Sequence, residues 1–237
     1  MIPMNAIDGI EVQCTEIPGI SKVKVVNFDG KKDLSWDRYV RLNAAAKAIR
    51  AVAGNSVLDA GGYDGALAFF LSNRSIDLID SFTTGGSVLS IPVTDEAYDV
   101  VAAIDVLEHI EPGERSKALA EFARVARRFV ILNYPCQDSR EAQELALKLT
   151  NNALVKEHVQ WELPDSGMVL SELAKYGFEG TVRPHTSIAV WLGQYITLNL
   201  LPNAAIDLNR HLVENYAEEP FSKPLYHLVV CKRDNTR

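Results

Sequence analysis

Apolar residues recur along this chain in two rhythms, one of short continuous runs and one of helical spacing, and the order in which they alternate predicts the architecture. Val23 to Phe28 reads as a strand after an Ile-Pro-Gly turn, half of an N-terminal hairpin laid over the main domain. Trp36 to Val52 carries Tyr39, Leu42, Ala45 and Ile49 at helical spacing, with Ser35 as its N-cap and Asp37 in its first turn. From Ser56 the runs shorten and alternate: strand Ser56 to Ala60, helix Ala66 to Leu71, strand Ile76 to Asp80, strand Tyr98 to Ile104, helix Arg115 to Arg127, strand Phe129 to Asn133. Strands that are apolar throughout belong to a parallel sheet covered on both faces, and such sheets bind ligands at their carboxyl ends. After Pro135 the rhythm breaks. Ser139 to Leu149 is helical, Asn151 to Ser166 irregular and polar-aromatic, and Val169 to Tyr176 a short helix stopped by Gly177. Strands near Glu179 to Arg183 and Tyr226 to Lys232 flank Trp191 to Leu201 and a helix around Ala205 to Tyr216.

The expected fold is therefore α/β, a doubly wound, mainly parallel seven-stranded sheet with an N-terminal hairpin and a cap insertion. One domain is expected over 1–237, divided into a hairpin (1–35), a ligand-binding core (36–135), a cap with the sixth strand (136–225) and a final strand with tail (226–237). Its 237 residues, 47% of them hydrophobic, suffice for one substantial core. A net charge of −7 argues against a polyanionic partner, since nucleic-acid binding draws on cationic side chains. Lys22, Lys24, Lys31 and Lys32 read as a solvated hairpin face. Met1 to Ile20 contains Asp8, Glu11 and Glu16 and no long apolar run, so neither a secretory signal nor a membrane span is expected there, and the expected compartment is the cytoplasm. Cys14, Cys136 and Cys231 are too few and too far apart for a zinc site or disulfide scaffold.

Candidate chemistry concentrates in Val57-Leu58-Asp59-Ala60-Gly61-Gly62-Tyr63-Asp64-Gly65, a buried strand ending in an acid, then a glycine-rich turn. Glycines there allow positive φ and close approach of a ligand to the main chain. Asp80 ends the next strand, about 20 residues on, where a carboxylate can accept from both hydroxyls of a ribose. The spacing also approaches a dinucleotide fingerprint, with Ala60, Gly62 and Gly65 at its three positions. Asp59 argues against that reading, because an acid beside the turn would face a pyrophosphate, whereas it favours an ammonium group.

The segment resembles the first motif of class I S-adenosylmethionine-dependent methyltransferases, with Asp59, Gly61 and Gly65 matching. Tyr63 stands where that family has its central glycine, and Ser87 where relatives often carry an acid for the adenine amino group, which leaves adenine to backbone groups near Val88. Tyr98 to Ile110, through Asp105, Glu108 and His109, looks like the fourth-strand segment of the family's small-molecule enzymes. The resemblance covers Ser56 to Pro135 and implies S-adenosylmethionine as cofactor, held by Asp59, Gly61, Gly62, Tyr63, Gly65, Asp80, Ser87, Val88 and Asp105. It implies methyl transfer to an oxygen or nitrogen of a small-molecule or glycan-like acceptor.

His109 has two readings, a general base for an acceptor hydroxyl or a structural histidine. Asp105, Glu108 and His109 could also hold a divalent ion that orients a diol, as in some catechol-type and RNA-end relatives, but a further ligand would be needed, and no metal is assigned. Glu157 to Asp165 loosely resembles the segment after strand five in methyltransferases found alongside glycosyltransferases. His158, the second candidate base, and Trp161 are then expected over the acceptor, with His185 and Trp191 closing a cap. Two alternatives stand beside this reading: a nicotinamide-dinucleotide oxidoreductase, and a non-catalytic relative that only binds.

Overall fold

The computed structural model describes residues 7–217 and 223–234. Eight strands form one sheet: β1 (Ile10–Cys14), β2 (Ser21–Val25), β3 (Ser56–Ala60), β4 (Ser75–Ile79), β5 (Tyr98–Ile104), β6 (Ala126–Pro135), β7 (Phe178–Ser187) and β8 (Pro224–Arg233). Their spatial order is β1-β2-β4-β3-β5-β6-β8-β7. The central neighbours β4, β3, β5 and β6 run parallel, while β8 and β7 return antiparallel at one edge. Alternation explains why the central runs are apolar on both faces. Along β5, Val101 and Ala103 enter one core with Leu119, Phe122 and Leu173, while Val100, Ala102 and Ile104 enter the other with Ala45, Ile49 and Leu67.

Seven helices complete the molecule as described: α1 (Trp36–Ala51), α2 (Arg115–Val125), α3 (Arg140–Thr150), α4 (Ala153–Gln160), α5 (Ser166–Ala174), α6 (Ile188–Leu200) and α7 (Pro202–Asn215). Trp36, Val40, Trp191, Leu212 and Tyr226 form a third apolar cluster that joins α1 to the helices α6 and α7 and to β8.

Three expectations are corrected. The N-terminal hairpin does not lie over the domain: β2 pairs antiparallel with β4, Val23 opposite Ile76, so the sheet has eight strands and residues 10–25 are part of its edge. Backbone hydrogen bonding outweighs face-on packing here because β4 would otherwise present a bare edge. The helix expected over Ala66 to Leu71 is a short 3-10 segment, Ala66–Phe70, whose five residues are all buried. Asn151 to Ser166 is not irregular throughout, since α4 occupies its centre with the Asn152 side chain accepting from the Leu154 N–H at 3.0 Å as its N-cap. The final strand starts at Pro224, and the outer tail, 235–237, lies outside the described residues.

Candidate active site

The glycine turn is held by sterics on every side. Gly61 has φ +79°, its N–H donates to the Ile79 carbonyl at 2.7 Å, and a Cβ there would come within 2.6 Å of the Val106 side chain. A Cβ on Gly62 would overlap the Asp59 carboxylate. Gly65 (φ +77°) is required by the hairpin, because a Cβ would press on Val23 at 2.9 Å. Tyr63 also has positive φ, +54°, without a glycine's freedom, and its N–H donates to Asp80 at 3.3 Å. Asp64 accepts from the Ala66 N–H at 3.1 Å and pairs with Arg38 of α1, clamping the far side of the turn.

Two carboxylates flank this turn in unlike states. Asp59 is 1% exposed, and neither carboxylate oxygen has a hydrogen-bond partner among the described residues. Burial, then the charge of Asp64, raises its pKa to about 7, with Arg38 pulling the other way and Asp80 adding to the rise. Asp80 is satisfied: its carboxylate accepts from the N–H groups of Phe82 (2.9 Å), Thr83 (3.0 Å) and Tyr63 (3.3 Å). Beyond it Phe82 stands 88% exposed. Ser87 is exposed, its hydroxyl accepting from the Leu89 N–H at 3.2 Å, and Val88 is half-buried against the core.

The second cluster lies at the carboxyl end of β5. Asp105 leaves the strand with φ +64°, a conformation that costs a non-glycine residue free energy and is found where a site demands it. One of its oxygens pairs with Arg41 of α1 at 3.0 Å and the other is buried. Arg41 also reaches Asp37 at 2.9 Å and the Tyr226 hydroxyl at 3.2 Å. Burial alone would raise the Asp105 pKa, but the Arg41 guanidinium holds it below the usual value. Glu108, in the 3-10 turn Leu107–His109, is fully buried; burial, then the Asp105 charge and the hydrogen bond between the two carboxyls, pushes its pKa well up. His109 meets Glu157 of α4 through Nδ1 at 2.7 Å, and its Nε2 lies 3.3 Å from the Nε2 of His158. His158 in turn contacts Gln143 Oε1 through Nδ1 at 3.1 Å. Burial and the nearby His109 lower the His158 pKa to about 3, so its ring is neutral at physiological pH.

The two clusters adjoin, since Val106, next to Asp105, packs against Gly61. The structure thus brings Asp59, Gly61, Gly62, Tyr63, Asp80, Asp105, His109 and His158 to one end of the sheet. Gly65 serves the hairpin contact, and of the residues expected from the cap His185 also lies by this end, its ring 5.4 Å from that of Tyr226 and its partner Asn133 accepting from the Asp105 N–H at 2.8 Å. Trp191 is buried in the apolar cluster with Trp36, stacked on Tyr195 at 5.1 Å, and His185 bonds Asn133 at 2.6 Å. Trp161 is half-buried at the end of α4 with its carbonyl accepting from Arg115 at 3.1 Å. Sequence reading missed Arg38, Arg41, Gln143 and Glu157. The arginines sit one helical turn apart in α1, which marks a shared face but not what it meets.

A protein-family model described as a methyltransferase domain matches residues 70–131, the stretch that runs through β4, β5 and the Asp105 cluster. That match spans about a quarter of the chain and makes the stretch similar to a methyltransferase domain. No curated protein matches the sequence. Among solved structures, the chain is similar to magnesium protoporphyrin IX methyltransferase from Synechocystis with bound S-adenosylhomocysteine, at 13% identity and TM-score 0.50 over 89% of this chain and 90% of that one. It is also similar to an O-methyltransferase family protein from Burkholderia thailandensis, at 13% identity and TM-score 0.51 over 89% and 60% of the two chains. A Thermotoga maritima methyltransferase, titled a possible histamine N-methyltransferase, gives 13% identity and TM-score 0.50 over 84% and 94%. Likeness at this identity establishes the fold, although the sheet has eight strands, six of them outside the hairpin, where seven were expected. No described helix is long and apolar enough to cross a membrane.

Proposed function

We propose that the protein transfers a methyl group from S-adenosylmethionine to an oxygen or nitrogen of a small-molecule or glycan-like acceptor held between the ends of β5 and β6 and helix α4. The observation that carries this reading is the unpartnered, buried carboxylate of Asp59 beside a glycine turn. A buried anionic group without a partner is costly, and a ligand ammonium would supply both charge and donors, so the residues fit the methionyl end of the cofactor. A pyrophosphate there would add a negative charge to Asp59, Asp64 and Asp80, which disfavours the dinucleotide reading.

Asp80 would take the ribose hydroxyls while its three backbone donors keep it in place. Gly61, Gly62 and the main chain of Tyr63 would line the methionyl moiety, Asp105 its inner end, and Ser87 and Val88 the adenine by their backbone. The sulfonium brings an already activated methyl group, so the chain's task is to align the acceptor lone pair at near-attack distance and exclude water. For a hydroxyl acceptor His109 is the first base candidate, because Glu157 anchors its Nδ1 at 2.7 Å and its Nε2, 3.3 Å from His158 Nε2, is the nitrogen left to take the proton. His158 is a poor base at neutral pH with its lowered pKa, and its contact with His109 suits positioning.

Calorimetry tests the reading. Saturable binding of S-adenosylhomocysteine, with none of NAD or NADP, is expected; the opposite pair of results would sink it.

A further inference from the structure

Glu108, His109 and His158 offer three ligand atoms that all lie within 4.8 Å of one another. They come from two separate elements, the 3-10 turn after β5 and helix α4, so the cluster is not an accident of one helix face. The two imidazoles face each other through Nε2 at 3.3 Å, and each has its other nitrogen turned to an oxygen: His109 Nδ1 to Glu157 at 2.7 Å, His158 Nδ1 to Gln143 Oε1 at 3.1 Å. With both rings neutral, each Nδ1 carries the proton and donates it to that oxygen. Both Nε2 atoms then present lone pairs to one another, an arrangement relieved either by a proton shared between the rings or by a metal ion beside them. An oxygen acceptor behind each ligating ring is the usual outer shell of metal-bound histidine. The third group, Glu108, is fully buried beside the Asp105 carboxyl, and no other described group donates to either of its oxygens.

We propose that Glu108, His109 and His158 bind one first-row divalent transition cation, such as Mn²⁺, Co²⁺ or Zn²⁺, with Asp105 available as a fourth ligand. Two imidazoles and a carboxylate suit these borderline ions better than Mg²⁺ or Ca²⁺, which prefer all-oxygen shells. Three or four protein ligands leave open positions toward the crevice. An acceptor oxygen or nitrogen entering there would be oriented by the ion and, for a hydroxyl, made acidic enough to release its proton to solvent, so His109 would then act as a ligand instead of taking the proton itself. The inference deepens the proposed methyl transfer in what it says of the acceptor, but the ion site itself does not depend on that reading.

The test starts from protein stripped with a chelator and titrated calorimetrically with Mn²⁺, Co²⁺, Zn²⁺ and, separately, Mg²⁺. One equivalent of a transition ion is expected to bind, at least tenfold more tightly than Mg²⁺, with visible absorption for Co²⁺ and a raised melting temperature. Glu108→Gln and His158→Asn should each weaken binding 100-fold or more, and Glu157→Gln, one shell out, by about 10–100-fold. Circular dichroism checks that each variant folds, and Glu157→Gln, the most exposed of the three, keeps the test decisive if the buried variants do not. Failure of the stripped protein to bind any of the transition ions would overturn the inference, as would binding indifferent to the folded variants. Binding of S-adenosylhomocysteine is measured in parallel: an ion without the adenosyl ligand removes the methyl-transfer reading and keeps the metal site, and the adenosyl ligand without an ion does the reverse.

Discussion

The two halves of the crevice are built by opposite strategies. The glycine-turn half is short and local: Asp59 to Gly65, one 3-10 segment and Asp80, with only turns between β4 and β5 and an N-terminal hairpin filling the edge beside them. The Asp105 half is assembled from afar, by Arg41 from α1, Gln143 from α3, Glu157 and His158 from α4, and Tyr226 from β8. The first half is kept in shape by backbone sterics and the second by buried charge. A local turn needs only glycines and caps to specify it, whereas a buried polar network holds only if each member finds its partner, and fails as a unit when one is removed.

The largest expected break in that contrast is Arg41→Ala. It leaves Asp105 and Asp37 without their cation, and loss of one partner from a largely buried pair costs about 3 kcal/mol or more. Urea denaturation reads the loss, and a midpoint unchanged from the parent would mean that solvent screens the cluster.

In the other half, Asp80→Ala should weaken S-adenosylhomocysteine by about 2 kcal/mol while the protein stays folded, the size expected when charge-assisted hydrogen bonds to hydroxyls disappear. Unaltered affinity by calorimetry would remove Asp80 from the ribose.

A third test uses pH. The Asp59 pKa of about 7 in the folded protein lies above its unfolded value near 3.9, so the folded state holds an extra proton between the two. Without ligand, this group's contribution to stability is fullest below about pH 4 and declines as pH rises through 7. A cationic ligand prefers the ionised carboxylate, so its affinity should fall about tenfold for each pH unit below 7. Asp59→Asn should flatten that slope; a slope that persists in the variant assigns it to another group.

The smallest effect belongs to Tyr63→Gly. Releasing a left-handed tyrosine should stabilise the fold by about 0.5–1 kcal/mol in thermal unfolding. A lower melting temperature would show that the ring's packing outweighs the strain.

Much of the fold was legible because its signals are local. Ser56–Ala60 and Tyr98–Ile104 are continuous apolar runs with both faces buried, and their limits agree with the sequence reading. The hairpin was recognised but misplaced: Val23 and Val25 alternate with lysines whether the strand lies over a domain or pairs with its edge, and only the bare flank of β4 decides between these. Ala66 to Phe70 has the composition of a helix, yet the chain re-enters the sheet at Ser75 before further turns can form.

The sequence by itself determined the α/β class, the positions of the central strands, the glycine turn with its flanking acids and the Asp105–His109 segment, because each is written in neighbouring residues whose spacing and size have few conformational solutions. Only the tertiary structure decided that His158 meets His109, that Arg41 neutralises Asp105, that Trp191 is core and that Asp59 has no hydrogen-bond partner among the described residues. Those facts depend on which side chains from distant elements converge in low dielectric, where a charge's partner and its desolvation set its state, and no pattern along the chain encodes that distance.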